Sequence, residues 1–171
     1  GFNKEKDTPQ NCTEITINND KVSVIEMHSF KNLTSLINVK LPKNLERIKE
    51  FAFFECTSLK NINIPQSVWE IGNSVFSNCT SLENITIPGD ISYLGSSIFE
   101  GCTSLSSVIF KGTLKQIPPK AFSGCTSLKS FTIPEGTEEI ETEAFSGCTS
   151  LKSVTIPKGI SLKNIQAYAL S

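Results

Sequence analysis

The chain has 171 residues, of which 38% are hydrophobic, 16 are basic and 17 are acidic. This composition is that of one folded domain and excludes a disordered chain. The near-neutral charge gives no electrostatic reason to expect a nucleic acid partner. No apolar run approaches the roughly 20 residues of a membrane-spanning helix, so we expect no membrane insertion. Residues 1–4 also lack the apolar core of a signal peptide.

The first 29 residues predict a degenerate N-terminal coil of a repeat array. Ile15 and Ile17 flank a polar residue, and the apolar residues Val22 and Ile25 follow at irregular spacing. Cys12 is out of register with the later cysteines. Irregular end repeats are typical of arrays whose coils stack on one another.

From residue 30 to residue 157 the sequence repeats with a period of 23 residues. The working consensus is F-x-x-C-T-S-L-x-x-I-x-I-P-x-x-(V/L/I)-x-x-I-x-x-x-A. Its conserved types recur at the following positions: Cys56, Cys79, Cys102, Cys125 and Cys148; Phe30, Phe53, Phe76, Phe99, Phe122 and Phe145; Leu36, Leu59, Leu82, Leu105, Leu128 and Leu151. Because a single coil cannot bury its apolar side chains, the repeated positions are predicted to form core columns in a stack.

Each repeat predicts one coil. The segment L-x-x-I-x-I alternates apolar and polar residues, as a short strand does, and the following Pro ends the strand because it has no N–H to donate. The remainder, with apolar residues three or four positions apart, predicts one or two turns of α-helix or 3₁₀-helix.

Residues 158–171 predict an irregular C-terminal partial repeat. Ile165, Ala169 and Leu170 resume the pattern after two extra residues around Ser161 and Leu162. The sequence therefore predicts one repeat domain over residues 1–171.

The repeat units, such as FSNCTSLENITIP (residues 76–88) and FSGCTSLKSVTIP (residues 145–157), resemble the BspA-like class of leucine-rich repeats. The resemblance implies a leucine-rich-repeat solenoid: a right-handed α/β-type superhelix with short parallel strands on the concave face and helical or 3₁₀ returns on the convex side. It also implies a bacterial cell-surface or secreted protein that binds a host or matrix protein or a glycan. It supplies no catalytic residues, and fold alone does not fix function.

The sequence offers little support for chemistry. The single histidine, His28, lies in the degenerate first coil, apart from most of the cysteines, whereas nucleophilic catalysis needs a base beside its nucleophile. No C-x-x-C pair is present for a metal, and Leu33 occupies the cysteine position of an earlier repeat. We therefore predict no catalytic residue, no metal and no cofactor. We interpret the cysteines as small buried side chains, although disulfides remain an alternative.

The acidic residues near position 140 also have a periodic explanation. Three of them lie one coil from a lysine, which predicts ion pairs between coils rather than a calcium site. The predicted pairs are Glu138 with Lys115, Glu143 with Lys120, and Glu135 with Lys158.

Two surfaces are candidates for partner binding. The strand face exposes polar columns that include Asn61, Asn63, Asn84 and Thr86, interrupted by Ile109. Four aromatic residues stand at repeat positions that are polar in other coils, which predicts that they are at least partly exposed: Trp69, Tyr93, Phe54 and Phe51. Exposed aromatic side chains anchor many interfaces, but single exposed apolar residues are also common.

Three functions remain open from the sequence. The first is a non-enzymatic binding or adhesion module. The second is a structural scaffold that self-associates through its open solenoid ends, because unpaired sheet edges promote association. The third, an enzyme, has no residues to support it.

Overall fold

The structure, a computed structural model, describes residues 11–171. Residues 1–10 of the predicted N-terminal coil, including residues 1–4 discussed above, lie outside the described part. Each coil contributes two strands, which we number in chain order. The first strand of each coil forms side 1 of the stack, with β1 Glu14–Thr16, β3 Asn38–Lys40, β5 Asn61–Ile62, β7 Asn84–Ile87, β9 Ser107–Phe110, β11 Ser130–Thr132 and β13 Ser153–Thr155. The second strand forms side 2, with β2 Val24–Ile25, β4 Arg47–Ile48, β6 Glu70–Ile71, β8 Tyr93–Leu94, β10 Gln116–Ile117, β12 Glu139–Ile140 and β14 Asn164–Ile165.

All strand pairs are parallel and join equivalent positions of neighbouring coils. Side 1 pairs in the orders β1-β3-β5, β7-β9 and β11-β13, and side 2 in the orders β2-β4-β6-β8 and β10-β12-β14. Most pairs keep the 23-residue register, as in Glu70 with Tyr93. The last pair joins Glu139 to Asn164, two residues beyond that period. The chain is thus a parallel β-solenoid.

The prediction of helical or 3₁₀ returns, and with it the α/β-type superhelix, is wrong. Residues 11–171 contain no helix, and therefore none that could span a membrane. The return stretch of each coil, which we call side 3, instead bends at residues with positive φ, such as His28 (62°) and Asn32 (61°) in the first coil. A helix needs consecutive right-handed residues, so two left-handed residues per coil prevent it from propagating.

Side 3 is held by hydrogen bonds in two alternating directions. The N–H groups of Phe30 and Asn32 donate to Ala52 and Phe54 in the next coil, each at 2.8 Å. The intervening Lys31 donates within its own coil, three residues back, to His28. The apolar residues spaced three and four positions apart therefore lie on a bent, non-helical segment. Its backbone N–H and C=O groups are hydrogen-bonded to the adjacent coil and within the segment itself.

The interior consists of columns of identical side chains. The six repeated phenylalanines are buried and stack face to face, with ring centroids 5.0–5.7 Å apart and planes inclined by 6–17°. Phe131 packs against two of them, Phe122 and Phe145, at 4.9 and 5.1 Å. These columns confirm that the repeated apolar positions are core positions.

The cysteine column is buried as predicted, and it also forms hydrogen bonds that the sequence did not indicate. Each thiol donates to the carbonyl of the repeated phenylalanine one coil earlier, at 3.0–3.2 Å, as Cys102 does to Phe76. Burial raises the pKa of Cys102 to about 12 and that of Cys148 to about 11, so both remain thiols at neutral pH. Cys79, Cys102, Cys125 and Cys148 are free of disulfides.

The ion-pair predictions have mixed outcomes. Lys120 pairs with Glu143 at 3.4 Å, as predicted. Glu138 pairs with Lys163 at 2.8 Å instead of Lys115, because the C-terminal coil brings Lys163 to the next equivalent position. Among the described residues, Glu135 and Lys158 form no ion pair with each other.

Candidate functional site

An open groove runs along side 1 across its first coils. Its larger part has a volume of about 710 Å³ and lies over β1, β3 and β5. A second part of about 390 Å³ begins at the same residues of β5 and continues over β7 to Lys111. The two parts share their lining at residues 61–64, so they form one groove that runs from β1 to Lys111.

Two polar columns point into this groove because side chains alternate along each short strand. The inward residues, such as Ile62 and Ile85, are buried in the core, while Asn61, Asn63 and Asn84 are exposed and Thr86 is half-buried. The predicted strand-face residues are thus brought together on one surface.

The amide side chains of the groove differ in their hydrogen bonding. Asn38 donates to Glu14 at 3.4 Å, and Asn84 accepts from Ser106 at 3.5 Å. Within residues 11–171, the Asn61 side chain forms no hydrogen bond with another protein group, and the same holds for Asn63. Both amides can therefore donate and accept at the same time towards a bound partner.

Ile109 lies on side 1, in the column of Asn63 and Thr86, and is 50% exposed. It pairs with Thr86 across β7 and β9 and lies outside the residues that line the groove. The polar groove thus ends against an exposed apolar side chain.

Trp69 and Tyr93 lie on a different surface, at the edge of side 2. Their exposed fractions are 40% and 47%, so the exposure inferred from the repeat positions is confirmed. The Arg47 guanidinium lies 5.9 Å from the centre of the Trp69 ring, and the Tyr93 hydroxyl donates to Asn73 at 3.3 Å. The two residues are on adjacent coils, since the Tyr93 N–H donates to the Trp69 carbonyl at 3.2 Å.

Phe51 and Phe54 are half-buried on side 3, away from both surfaces. Phe51 stacks on His28 at 5.3 Å and meets Phe54 edge-on at 5.6 Å. The ammonium of Lys31 lies 5.1 Å from the Phe54 ring. Sequence reasoning missed His28 and Lys31 as members of this cluster. They occupy the same repeat positions as Phe51 and Phe54, one coil earlier. Because equivalent positions stack in a solenoid, this 23-residue offset could have predicted the contacts.

His28 and the cysteines of the repeated column take part in packing. His28 stacks on a phenyl ring, and the buried thiols of Cys79, Cys102 and Cys125 have pKa values raised by desolvation. No group of three or more His, Cys, Asp or Glu side chains within residues 11–171 is placed to hold a metal ion. The two surfaces thus offer polar side chains in the groove and exposed rings at the edge of side 2.

Comparison with known proteins places the chain in a family. A sequence profile described as "BspA type Leucine rich repeat region" matches six copies, over residues 8–129 and 115–171. No curated protein matches the chain.

Several solved structures share the fold. A leucine-rich repeat protein from Eubacterium ventriosum is 23% identical with a TM-score of 0.74, and the match covers 93% of this chain and 52% of that one. The pneumococcal vaccine antigen PcpA is 20% identical, also with a TM-score of 0.74, over 91% of this chain and 41% of that one. The leucine-rich repeat protein of T. pallidum, TpLRR, is 27% identical with a TM-score of 0.57, over 90% and 59% of the two chains. The chain thus spans about half the length of these proteins.

Proposed function

Since the chain belongs to the family of BspA-type leucine-rich repeats, we propose that it is a non-enzymatic binding module of a cell-surface or secreted protein. Leucine-rich repeat proteins generally bind other proteins and generally are not enzymes, so family membership implies a protein-binding repeat module. The proposal goes further in assigning adhesion to a host or matrix protein and in locating the contact in the groove of side 1.

The observation that supports this assignment is the groove itself. It offers amide groups at Asn61 and Asn63 that no protein group among residues 11–171 occupies, on strands fixed from beneath by buried Ile62 and Ile64. The strands are paired to both neighbouring coils or packed against them, so the backbone that carries these amides needs little ordering on binding. A preorganised backbone favours affinity because less conformational entropy is lost.

The test is binding of the purified chain to a panel of immobilised extracellular-matrix and plasma proteins. The variant Asn61→Ala/Asn63→Ala/Asn84→Ala removes the amides but leaves the buried residues beneath them unchanged. A matched control, Ser92→Ala/Lys115→Ala, changes exposed residues of side 2. We expect saturable binding to at least one protein, weakened about tenfold or more by the groove variant and unchanged by the control. Equal binding by both variants would refute the groove as the contact.

We propose a self-associating scaffold as the second candidate function. Ile165 is 48% exposed and Tyr168 is 71% exposed, and these apolar side chains would carry such a contact. Sedimentation velocity of the chain over a hundredfold concentration range tests this alternative. Concentration-dependent growth that Ile165→Ser/Tyr168→Ser abolishes supports the scaffold, and a monomer throughout argues against it.

A further inference from the structure

We propose that the groove of side 1 binds an extended acidic segment of a protein partner, with one carboxylate at Lys40 and a second at Lys111. This inference rests on the proposed function, because it names the chemistry of the partner that the same groove would take. It assigns a role to two exposed lysines that line different parts of the groove.

Lys111 breaks the repeat at the far end of the groove. The equivalent residue in the other regular coils is a proline, as at Pro65 and Pro88. Proline has no N–H, whereas the Lys111 N–H donates to the Ile87 carbonyl at 2.9 Å. This bond ties the backbone of Lys111 to the preceding coil, while its side chain is exposed. Within residues 11–171 its ammonium forms no ion pair.

Lys40 lies in the larger part of the groove, on β3. It shares the column of Asn63 and Thr86 and is exposed. Its carbonyl accepts the Ile17 N–H at 3.0 Å, so the base of the side chain is held by the first coil. Among the described residues, no carboxylate lies within ion-pair distance of its ammonium. Both lysines are therefore available to a carboxylate of a partner.

The charged residues that line the groove have an excess of positive charge. They are Glu14, Lys40, Lys43 and Lys111. The Glu14 carboxylate accepts the Asn38 amide at 3.4 Å, and Lys43 already pairs with Asp20 at 3.1 Å. Near the far end, the Asp90 carboxylate accepts the N–H and the hydroxyl of Thr113 at 2.7 and 2.9 Å. The charge left for a partner thus lies on Lys40 and Lys111.

The spacing of these two lysines limits the kind of anion that can bind. They are three coils apart, or about 14 Å at roughly 4.8 Å per coil. Between them the groove presents the neutral amides of Asn61, Asn63 and Asn84. A nucleic acid strand carries a negative charge about every 3.4 Å, so most of its charges would face neutral groups. Two separated carboxylates on a protein chain match the groove better.

An extended peptide matches the amides as well as the charges. Each of its peptide groups offers an N–H and a C=O, and the side-chain amides of Asn61 and Asn63 can each accept and donate at the same time. An extended chain advances about 3.3 Å per residue, so about four residues separate the two lysines. The segment should therefore carry Asp or Glu at positions i and i+4.

The experiment compares three capped heptapeptides. The first is Ser-Glu-Thr-Val-Thr-Glu-Ser, the second has glutamine at both glutamate positions, and the third is Ser-Thr-Glu-Glu-Val-Thr-Ser. Binding is followed at low salt through the side-chain amide signals of Asn61 and Asn63 in the ¹⁵N-labelled chain. The lysine variant, Lys40→Gln/Lys111→Gln, removes both charges. The control, Lys129→Gln/Lys152→Gln, removes two exposed lysines outside the groove, just before β11 and β13.

We expect the first peptide to perturb both amide signals saturably and to bind about fivefold or more tightly than the other two. This preference should persist in the control. It should disappear in the lysine variant and also in about 0.5 M salt, because exposed charges are screened. The proposal is overturned if the first peptide does not bind, if all three bind equally, or if the lysine variant keeps the preference.

Failure of the proposed function gives a different result. If the groove variant loses a protein of the binding panel and the lysine variant retains it, the groove remains the contact and the acidic segment is refuted. If the groove variant binds every panel protein as the parent chain does, the groove is refuted as the protein contact, and this inference falls with it.

Discussion

Replacement of Gly72 by alanine tests the close packing of coils on side 2. The added Cβ would lie 2.6 Å from the Glu50 nitrogen, whereas ordinary contact begins at 3.4 Å, so the two coils must separate locally by about 0.8 Å. The hydrogen bond from the Gly72 N–H to the Ile48 carbonyl, now 2.8 Å, would stretch beyond bonding distance and leave a buried donor unsatisfied. With the accompanying strain we expect the free energy of unfolding to fall by about 2–4 kcal/mol.

The matched control is Gly124→Ala. Gly124 has a φ of +73°, but the nearest atom to its added Cβ is 3.6 Å away, so only the left-handed backbone opposes alanine there. Glu55 and Asn78 adopt the same conformation at that repeat position. We expect a loss of about 1 kcal/mol or less, because alanine also restricts the unfolded chain.

Both variants are compared by urea unfolding, followed by far-UV circular dichroism and by Trp69 fluorescence. Coincident transitions establish that a single free energy describes the array. If Gly72→Ala costs no more than Gly124→Ala, the reasoning is refuted. The coil would then have relaxed to the path that Lys49 and Glu141 follow at the same repeat position.

Three further predictions concern the core and its charges. Burial raises the pKa of the Cys102 thiol from 9.0 to about 12. Between these pH values the unfolded chain loses the proton and the folded chain keeps it. The free energy of unfolding is therefore unaffected by this thiol's ionisation below pH 9 and falls as the pH rises towards 12. Above pH 9, the free energy of unfolding should fall less steeply with pH in Cys102→Val than in the parent chain. The two slopes should differ by up to about 1.4 kcal/mol per pH unit, and equal slopes would contradict this. Phe99→Ala removes one ring of the buried stack and should lower the free energy of unfolding, measured in urea, by about 3–5 kcal/mol. A loss near about 1 kcal/mol would mean that the neighbouring rings close over the gap. Lys49→Met leaves the largely buried Glu70 without its cation and should lower the free energy of unfolding by about 1–3 kcal/mol. Lys120→Met breaks a more exposed pair and should lower it by less than about 0.5 kcal/mol. Equal losses would show that burial does not strengthen the pair of Lys49 and Glu70.

The sequence was sufficient to predict the stack because a 23-residue period is a property of the whole array. Phe76 recurs in every regular coil and Cys79 in all but the first, where Leu33 takes its place, and only stacking buries all of these side chains. The exposure of Trp69 followed from the same comparison, because Glu46 and Lys115 at that position require solvent.

Side 3 could not be predicted in this way, because hydrophobic spacing does not report the sign of φ. Ser74 and Lys120 have no marked preference for the left-handed region, yet both adopt it where the next coil accepts their N–H groups. Asn32 and Gly101 were the available hints, since asparagine and glycine tolerate positive φ. The bond from Cys102 to the Phe76 carbonyl was equally hidden, because it depends on the position of one coil over another.

The most direct test of the groove as the contact surface is nuclear magnetic resonance of the side-chain amides. Each asparagine of the ¹⁵N-labelled chain gives its own side-chain signal, and Asn61, Asn63 and Asn84 report on the groove. Asn73, just after β6, and Asn32 on side 3 serve as internal controls. Titration with a matrix or plasma protein retained by the binding panel should perturb the three groove signals and leave both controls unchanged. Perturbation of the Asn32 or Asn73 signals, with the groove signals unmoved, would contradict the account.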